Sequence, residues 1–431
     1  MKRLFLVLPI TISLLCGCKK KEDSSTSVYQ ATQATTLTGN WDPFNKSRIE
    51  NLINTYGNSS STYNTSNPPY AIFDWDNTCS FWDTEEATLI YQLTNLKFGC
   101  TPADLDNVIR TGVDTNKVFT GSGVTFAVKD IAKDIKASYT WLYNNYSGLG
   151  GGGTLSLDDV KTNPNYSNFI TKVRWLYDGF DTDFGVNISY TYIFYLYYGL
   201  TEAQICQMVK DAASWQLTQN IEEVTWASPS ANDLPGQYAG QLSTTWKNGL
   251  RFFPEQVELY NKFRAAGFDV WVCTASLQEI ISAVSYSPLF GFNNDSTHCL
   301  GMKAQYNDDG KLINKLVIGA PFTFQTGKTD AIRAALSGPT GKYGYDPLFV
   351  AGDSDGDQNM LSDFPGMQIG LIINRNKGKE ELLGTLCSQA VNTYNTPNAK
   401  YLLQGRDDNK GQFIPSQAFI AFGSTTGVVL P

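Results

Sequence analysis

Apolar and polar positions follow two different rhythms along this chain. Between residues 84 and 218 apolar residues recur at helical spacing, and the pattern predicts helices at 84–93, 101–110, 127–145, 166–177 and 202–218. Thr84 is the expected N-cap of the first, with Glu85 and Glu86 in its opening turn. Elsewhere short, unbroken apolar runs end in polar residues. These runs, at 70–75, 268–273, 348–351 and 367–373, read as buried strands. Helices at 255–266, 277–284 and 329–336 separate the later ones, and Asn307–Gly310 marks a hairpin. Strands alternating with helices predict an α/β fold, a Rossmann-like parallel sheet. A large, mainly helical segment interrupts it after the first strand. The expected divisions are 1–18, 19–67 as tether and approach, 68–86 with 249–431 as the α/β core, and 87–248 as helical cap. The aromatic stretch Tyr190–Tyr198 reads as core, and Gly148–Gly153 as a loop.

The amino terminus has another pattern. Lys2 and Arg3 precede a short apolar run, Leu4–Cys16, which has the build of a secretory signal and is too short to span a bilayer. Leu15–Cys18 (LCGC) resembles a bacterial lipobox, with Cys18 as the residue to be lipidated and Lys19–Ser24 as a polar tether. An exported lipoprotein of the bacterial cell envelope, held to the membrane through Cys18, is the expectation. An ordinary signal peptide with incidental cysteines is the alternative.

Composition narrows the chemistry. A net charge of −8 without a basic stripe excludes a nucleic-acid partner. Beyond residue 18 there are six cysteines, Cys79, Cys100, Cys206, Cys273, Cys299 and Cys387, whose spacing selects no disulfide pairing and forms no CxxC zinc motif. His298 is the sole histidine and lies in a polar loop. A histidine-rich metal centre is thereby excluded, and proton transfer falls mostly to carboxylates.

Those carboxylates sit where strands end. Ala71–Thr78 (AIFDWDNT) carries Asp74 and Asp76 at strand spacing, so both start on one face and can divide the work of nucleophile and general acid/base. A strand followed by an ordinary Asp/Asn turn is the competing reading. Thr274 follows the second run and, with Ser276 as substitute, could hold an anionic oxygen; a plain turn there competes. Lys328 lies at a helix start in Thr326–Asp330 (TGKTD), where a cation suits a phosphoryl oxygen, though Lys303, Lys311 and Lys315 are nearby rivals. A P-loop is excluded because Phe322 stands where its first glycine belongs. Leu348–Asp357 (LFVAGDSDGD) ends in Asp353, Asp355 and Asp357, hard oxygen donors suited to Mg²⁺. A calcium loop would need glycine at Gln358 and glutamate at Phe364.

The order Asp74–Thr78, Thr274, Lys328, Gly352–Asp357 resembles the four motifs of the haloacid dehalogenase-like (HAD) hydrolase superfamily. Gly249–Glu255 (GLRFFPE), Val272–Ser276 (VCTAS) and the hairpin before Lys328 are similar to its phosphoserine phosphatase/phosphorylcholine phosphatase-like branch. The likeness covers roughly residues 68–86 and 249–376, and the cap corresponds only in placement and helical character. It implies a phosphatase acting on a small phosphomonoester through an aspartyl-phosphate. Asp74 would be the nucleophile and Asp76 the general acid/base. Thr274 and Lys328 would hold the phosphoryl group. Mg²⁺ would be bound by Asp74, the Asp76 carbonyl, Asp353 and, directly or through water, Asp357. A dehalogenase would need neither Asp76 nor the metal ligands. A phosphotransferase of the same superfamily and a non-enzymatic ligand-binding surface lipoprotein remain as alternatives. Trp82, with other rings around the first motif, suggests part of a cage for a quaternary ammonium, which makes phosphocholine the leading substrate candidate.

Overall fold

The computed structural model describes residues 36–431. The expected signal peptide, Cys18 and residues 19–35 of the tether and approach lie outside these residues; the rest of that segment includes the helix Pro43–Tyr56. Six parallel strands form the central sheet: β1 (Tyr70–Phe73), β2 (Asp269–Leu277), β3 (Cys299–Met302), β4 (Phe349–Gly352), β5 (Ile369–Ile373) and β6 (Tyr401–Gln404), in the order β6-β5-β4-β1-β2-β3. This is the α/β parallel-sheet architecture expected from the sequence. Continuous apolar runs form these strands because both sheet faces are covered. Ala71 and Phe73 of β1 point into one core cluster, while Tyr70 and Ile72 point into another on the opposite face.

Strand order explains where chemistry can occur. The chain runs β1, β2, β3 to one side and then returns to place β4 on the other side of β1. The crevice outside the carboxyl ends therefore opens between β1 and β4, at a topological switch point. Ile72 is in register with both Val350 and Trp271, so Asp74 and Asp353, which follow β1 and β4, come to one edge with Thr274 in β2 beside them.

Between β1 and β2 the described chain has seven helices from Thr84 to Gln216, followed by the antiparallel hairpin Glu222–Ala227/Ser243–Asn248. The sheet and helices share a continuous apolar core, in which Phe73 and Phe169 both take part. The described residues cluster as one compact unit.

Several local expectations differ. Thr84 is not the N-cap; Asp83 is, accepting from the Glu86 N–H at 2.8 Å. Thr84 is unavailable because its hydroxyl accepts from the Trp75 indole at 2.9 Å and its own N–H donates to Asp76 at 2.7 Å. The hairpin at 222–248 was not anticipated, since one of its strands is largely exposed and lacks a burial rhythm. The aromatic stretch Tyr190–Tyr198 overlaps the end of the helix Val186–Tyr195 and is mostly buried, in agreement with the core reading. β2 extends through Leu277, so Thr274 lies within the strand rather than after it. β6, with a four-stranded sheet built from residues 406–428, was also unforeseen. Its strands there are two residues long, below the length at which alternation can be read. The six cysteines among the described residues are free. No helix among these residues is long and apolar enough to cross a membrane.

Candidate active site

Asp74 directly follows β1, and its N–H still pairs with the Ala351 carbonyl of β4 at 2.9 Å. The chain then turns sharply, with Asn77 and Trp82 both at positive φ (63° and 68°). Within this turn Thr78 donates its hydroxyl to Asp74 Oδ2 and also lies 2.9 Å from Asp353 Oδ1, linking the first and last motifs. Lys328 Nζ donates to Asp74 Oδ1 and Asp357 Oδ1, each at 2.6 Å. Asp74 is 5% exposed and Lys328 is 2% exposed. The lysine is thus a buried strut between two carboxylates.

Asp357 supports the loop after β4. Its Oδ2 accepts from the N–H groups of Asp353 (2.9 Å) and Ser354 (3.1 Å). This fold-back requires Gly352: a Cβ there would lie 2.6 Å from the Asp357 Cβ. Asp76 points the other way, accepting from the Thr84 N–H and from the Ser276 hydroxyl, both at 2.7 Å. Ser276 N–H in turn donates to Thr274 Oγ1 at 3.1 Å. Ser276 is therefore committed to Asp76.

Electrostatics shows a site overloaded with negative charge. Asp74, Asp353 and Asp357 each offer an oxygen within 4.8 Å of the others, and all are buried. With Asp76 they make four carboxylates, faced by Lys328 and Arg375. Burial, followed by the Asp357 charge, pushes Asp74 well above the usual carboxylate range, with Lys328 opposing. Burial also raises Asp76 to about 6, against the hydrogen bonds from Thr84 and Ser276. For Lys328, burial disfavours the charge but Asp357 and Asp74 outweigh it, holding the ammonium well above its ordinary value. Clustered hard oxygens with uncompensated charge fit a divalent cation such as Mg²⁺.

The sequence-selected residues Asp74, Asp76, Trp82, Thr274, Ser276, Lys328 and Asp353 line one cavity of about 310 Å³, and Asp357 lies behind Lys328. Helices after β1 close part of it with Tyr177, Tyr190 and Ile193. Lys303, Lys311 and Lys315 do not line it. His298 stacks on Trp271 instead, with ring centroids 4.0 Å apart.

Trp82 departs from the cage expectation. It is 7% exposed, lies against Phe81, and holds Lys247 Nζ 4.3 Å from its ring centroid. That face already carries a cation, so it is not free for an ammonium ligand.

Two arginines were missed. Arg375 Nη1 donates to Asp353 Oδ2 at 2.6 Å and lines the cavity. Its sequence signal was the one used elsewhere, a polar pair (Asn374, Arg375) at the end of an apolar strand. Arg406 gives no such signal. It is 1% exposed, donates Nη1 to the Asn77 carbonyl at 3.2 Å, and has Nε 2.7 Å from Asp408.

No family model matches the chain, and no curated protein matches it. Among solved structures it is similar to a conserved protein of unknown function from Anaerococcus prevotii DSM 20548. The two share 27% identity at a TM-score of 0.82, over 91% of this chain and 100% of that one. A phosphoserine phosphohydrolase-like protein from Francisella tularensis subsp. tularensis SCHU S4 is 12% identical, covering 74% of this chain and 92% of its own, at a TM-score of 0.29. Cytosolic 5′-nucleotidase IIIB bound to cytidine is 14% identical, covering 83% and 86%, at a TM-score of 0.34. The extended likeness is to the Anaerococcus protein, whose fold this chain shares nearly end to end.

Proposed function

We propose that the protein is a HAD-type, divalent-cation-dependent phosphatase of small phosphomonoesters. The observation that carries this reading is the buried convergence of Asp74, Asp353 and Asp357 around Lys328, with Asp76 beside them at the carboxyl edge of the sheet. Phosphoryl transfer needs in-line positioning and charge neutralisation above all; Lys328 and a cation held by the clustered carboxylates would supply the neutralisation.

In this mechanism an Asp74 oxygen attacks phosphorus while the ester P–O bond breaks. Asp76 gives its proton to the departing oxygen. The aspartyl-phosphate is then hydrolysed: Asp76 takes a proton from water, the water oxygen bonds to phosphorus, and the bond to Asp74 breaks, releasing phosphate. Thr274 and Lys328 hold phosphoryl oxygens throughout. Mg²⁺, held by Asp74, the Asp76 carbonyl and Asp353 with Asp357 in support, would supply further neutralisation of phosphoryl charge.

Protein lacking residues 1–18 should release phosphate from small phosphomonoesters in Mg²⁺ and lose that activity in EDTA. Full activity in chelator would exclude the cation requirement. Transfer of the phosphoryl group to an added alcohol in preference to water would instead favour a phosphotransferase.

The Ser276–Asp76 hydrogen bond yields a pH test. It stabilises the carboxylate and so lowers the Asp76 pKa from where burial alone would set it. As general acid Asp76 must be protonated, so kcat/KM should fall as pH rises through its pKa. Ser276→Ala should move that alkaline limb upward. A stationary or downward-moving limb would remove Asp76 from the role.

Export as a lipoprotein through Cys18 is part of the proposal, motivated by the Leu15–Cys18 segment. Cys18→Ser should shift the full-length protein from the membrane fraction to the soluble one. Continued membrane retention would point to a different anchor.

A further inference from the structure

Two of the three cations lining the cavity are paired with carboxylates, while Asp76, Asp83 and Glu85 there have no ion-pair partner among the described residues. Lys328 is paired with Asp74 and Asp357, Arg375 with Asp353, and Glu86 lies 3.4 Å from Arg174, whose guanidinium sits over the Tyr177 ring at 5.1 Å. Of the lining cations, Lys247 alone lacks a carboxylate partner among the described residues. Its contact is the face of Trp82. Lys247 belongs to the hairpin strand Ser243–Asn248 and is exposed, which places it at the rim.

Arg375 enters the same cavity from the end of β5. Its side chain is 29% exposed and one nitrogen is spent on Asp353. Its other N–H groups have no acceptor among the described residues, and a guanidinium has five such donors in a planar fork. Surroundings that strip water from Lys247, and next the Arg375 charge, lower the lysine pKa against the opposing charges of Glu86, Asp408 and Glu223, none of which is within ion-pair distance. Two cations facing one cavity, neither saturated, favour an anion between them. Trp82 would keep Lys247 in place for it through the cation–π contact.

We propose that Lys247 and Arg375 form a subsite for a second anionic group, so that the preferred substrate is a phosphomonoester that also carries a carboxylate or a further phosphate. This rests on the phosphatase reading of the same cavity. It also opposes a quaternary ammonium in this corner, where both cations would repel it.

The experiment compares 3-phosphoglycerate with glycerol 3-phosphate, which differ by the carboxylate, alongside fructose 1,6-bisphosphate and phosphocholine. Each is measured by kcat/KM with the wild-type protein and by equilibrium binding to Asp74→Asn protein. A charge-assisted contact predicts at least about tenfold preference for the ester bearing the second anion. Selection of 3-phosphoglycerate over the bisphosphate identifies a carboxylate, and the reverse a phosphate. In Lys247→Met, which keeps the aliphatic stem over Trp82, the preference should collapse toward unity, chiefly through KM. Equal treatment of the paired esters and of the bisphosphate in both assays, or a preference for phosphocholine, would overturn the subsite while hydrolysis stood. Preferential binding without turnover of any ester would retain the subsite and overturn the phosphatase reading.

Discussion

Asp74→Asn should lower kcat by at least about 10³-fold while leaving the metal-free protein no less stable than wild type. The amide keeps an oxygen for Lys328, at the position where Asp74 Oδ1 accepts at 2.6 Å, but cannot act as nucleophile. Stability should hold because this carboxylate is unfavourable in the absence of a cation. Burial and the Asp357 and Asp353 charges raise its pKa in spite of Lys328. A raised carboxyl pKa means that folding favours the protonated form, so the Asp74 contribution is fully present below the unfolded pKa and is lost as pH rises through the folded one. At neutral pH the substitution removes that strain. Mg²⁺ should then stabilise the wild type, as ligand binding to the folded state does, by about 2.7 kcal/mol at a hundredfold excess over Kd, and so raise its Tm. The Asn variant should gain much less. Thermal melts with and without Mg²⁺, beside steady-state assays, check both parts. Undiminished turnover would mean that another residue attacks phosphorus. A large drop in metal-free Tm would mean that the carboxylate supports the fold.

Arg406→Met should destabilise the protein by about 3–5 kcal/mol, the usual result of removing one partner of a buried ion pair. Arg406 lies under the first-motif turn, with Asp408, the Asn77 carbonyl and the Phe81 and Phe419 rings around it. Burial pulls the guanidinium below its ordinary pKa and Asp408 opposes this, so each charge depends on the other. Without Arg406, Asp408 is left buried and unpaired. Replacing both, as Arg406→Met with Asp408→Leu, should recover much of the loss. Activity should fall in the single variant under conditions where it remains folded, because Asn77 follows Asp76 directly and its carbonyl loses its donor. Urea unfolding of the single and double variants, with kcat measured on each, is the test. A loss below about 1 kcal/mol in the single variant would place Arg406 among weakly contributing pairs.

Legibility differed between residues for definite reasons. Asp74, Thr274 and Asp353 stood out because each adjoins the end of an apolar run, and in a parallel sheet such ends share one edge. Lys328 was one of several lysines on sequence grounds; what distinguishes it is burial between Asp74 and Asp357. Ser276 was read as a spare phosphoryl ligand, yet its hydroxyl is directed to Asp76. Trp82 was read as a free aromatic wall, yet Lys247 covers its face from a hairpin 165 positions further along. Arg406 is 329 positions from Asn77, and no local pattern announces that pairing.

Local chemistry already dictated the parallel sheet and the edge at which its acids gather. Unbroken apolar runs must be buried on both faces, and the residues that leave such strands emerge together. Identifying which cation faces which carboxylate, and which ring face is already occupied, required the folded chain. Those matches join residues far apart in sequence, and their energies depend on burial and neighbouring charge, which exist only after packing.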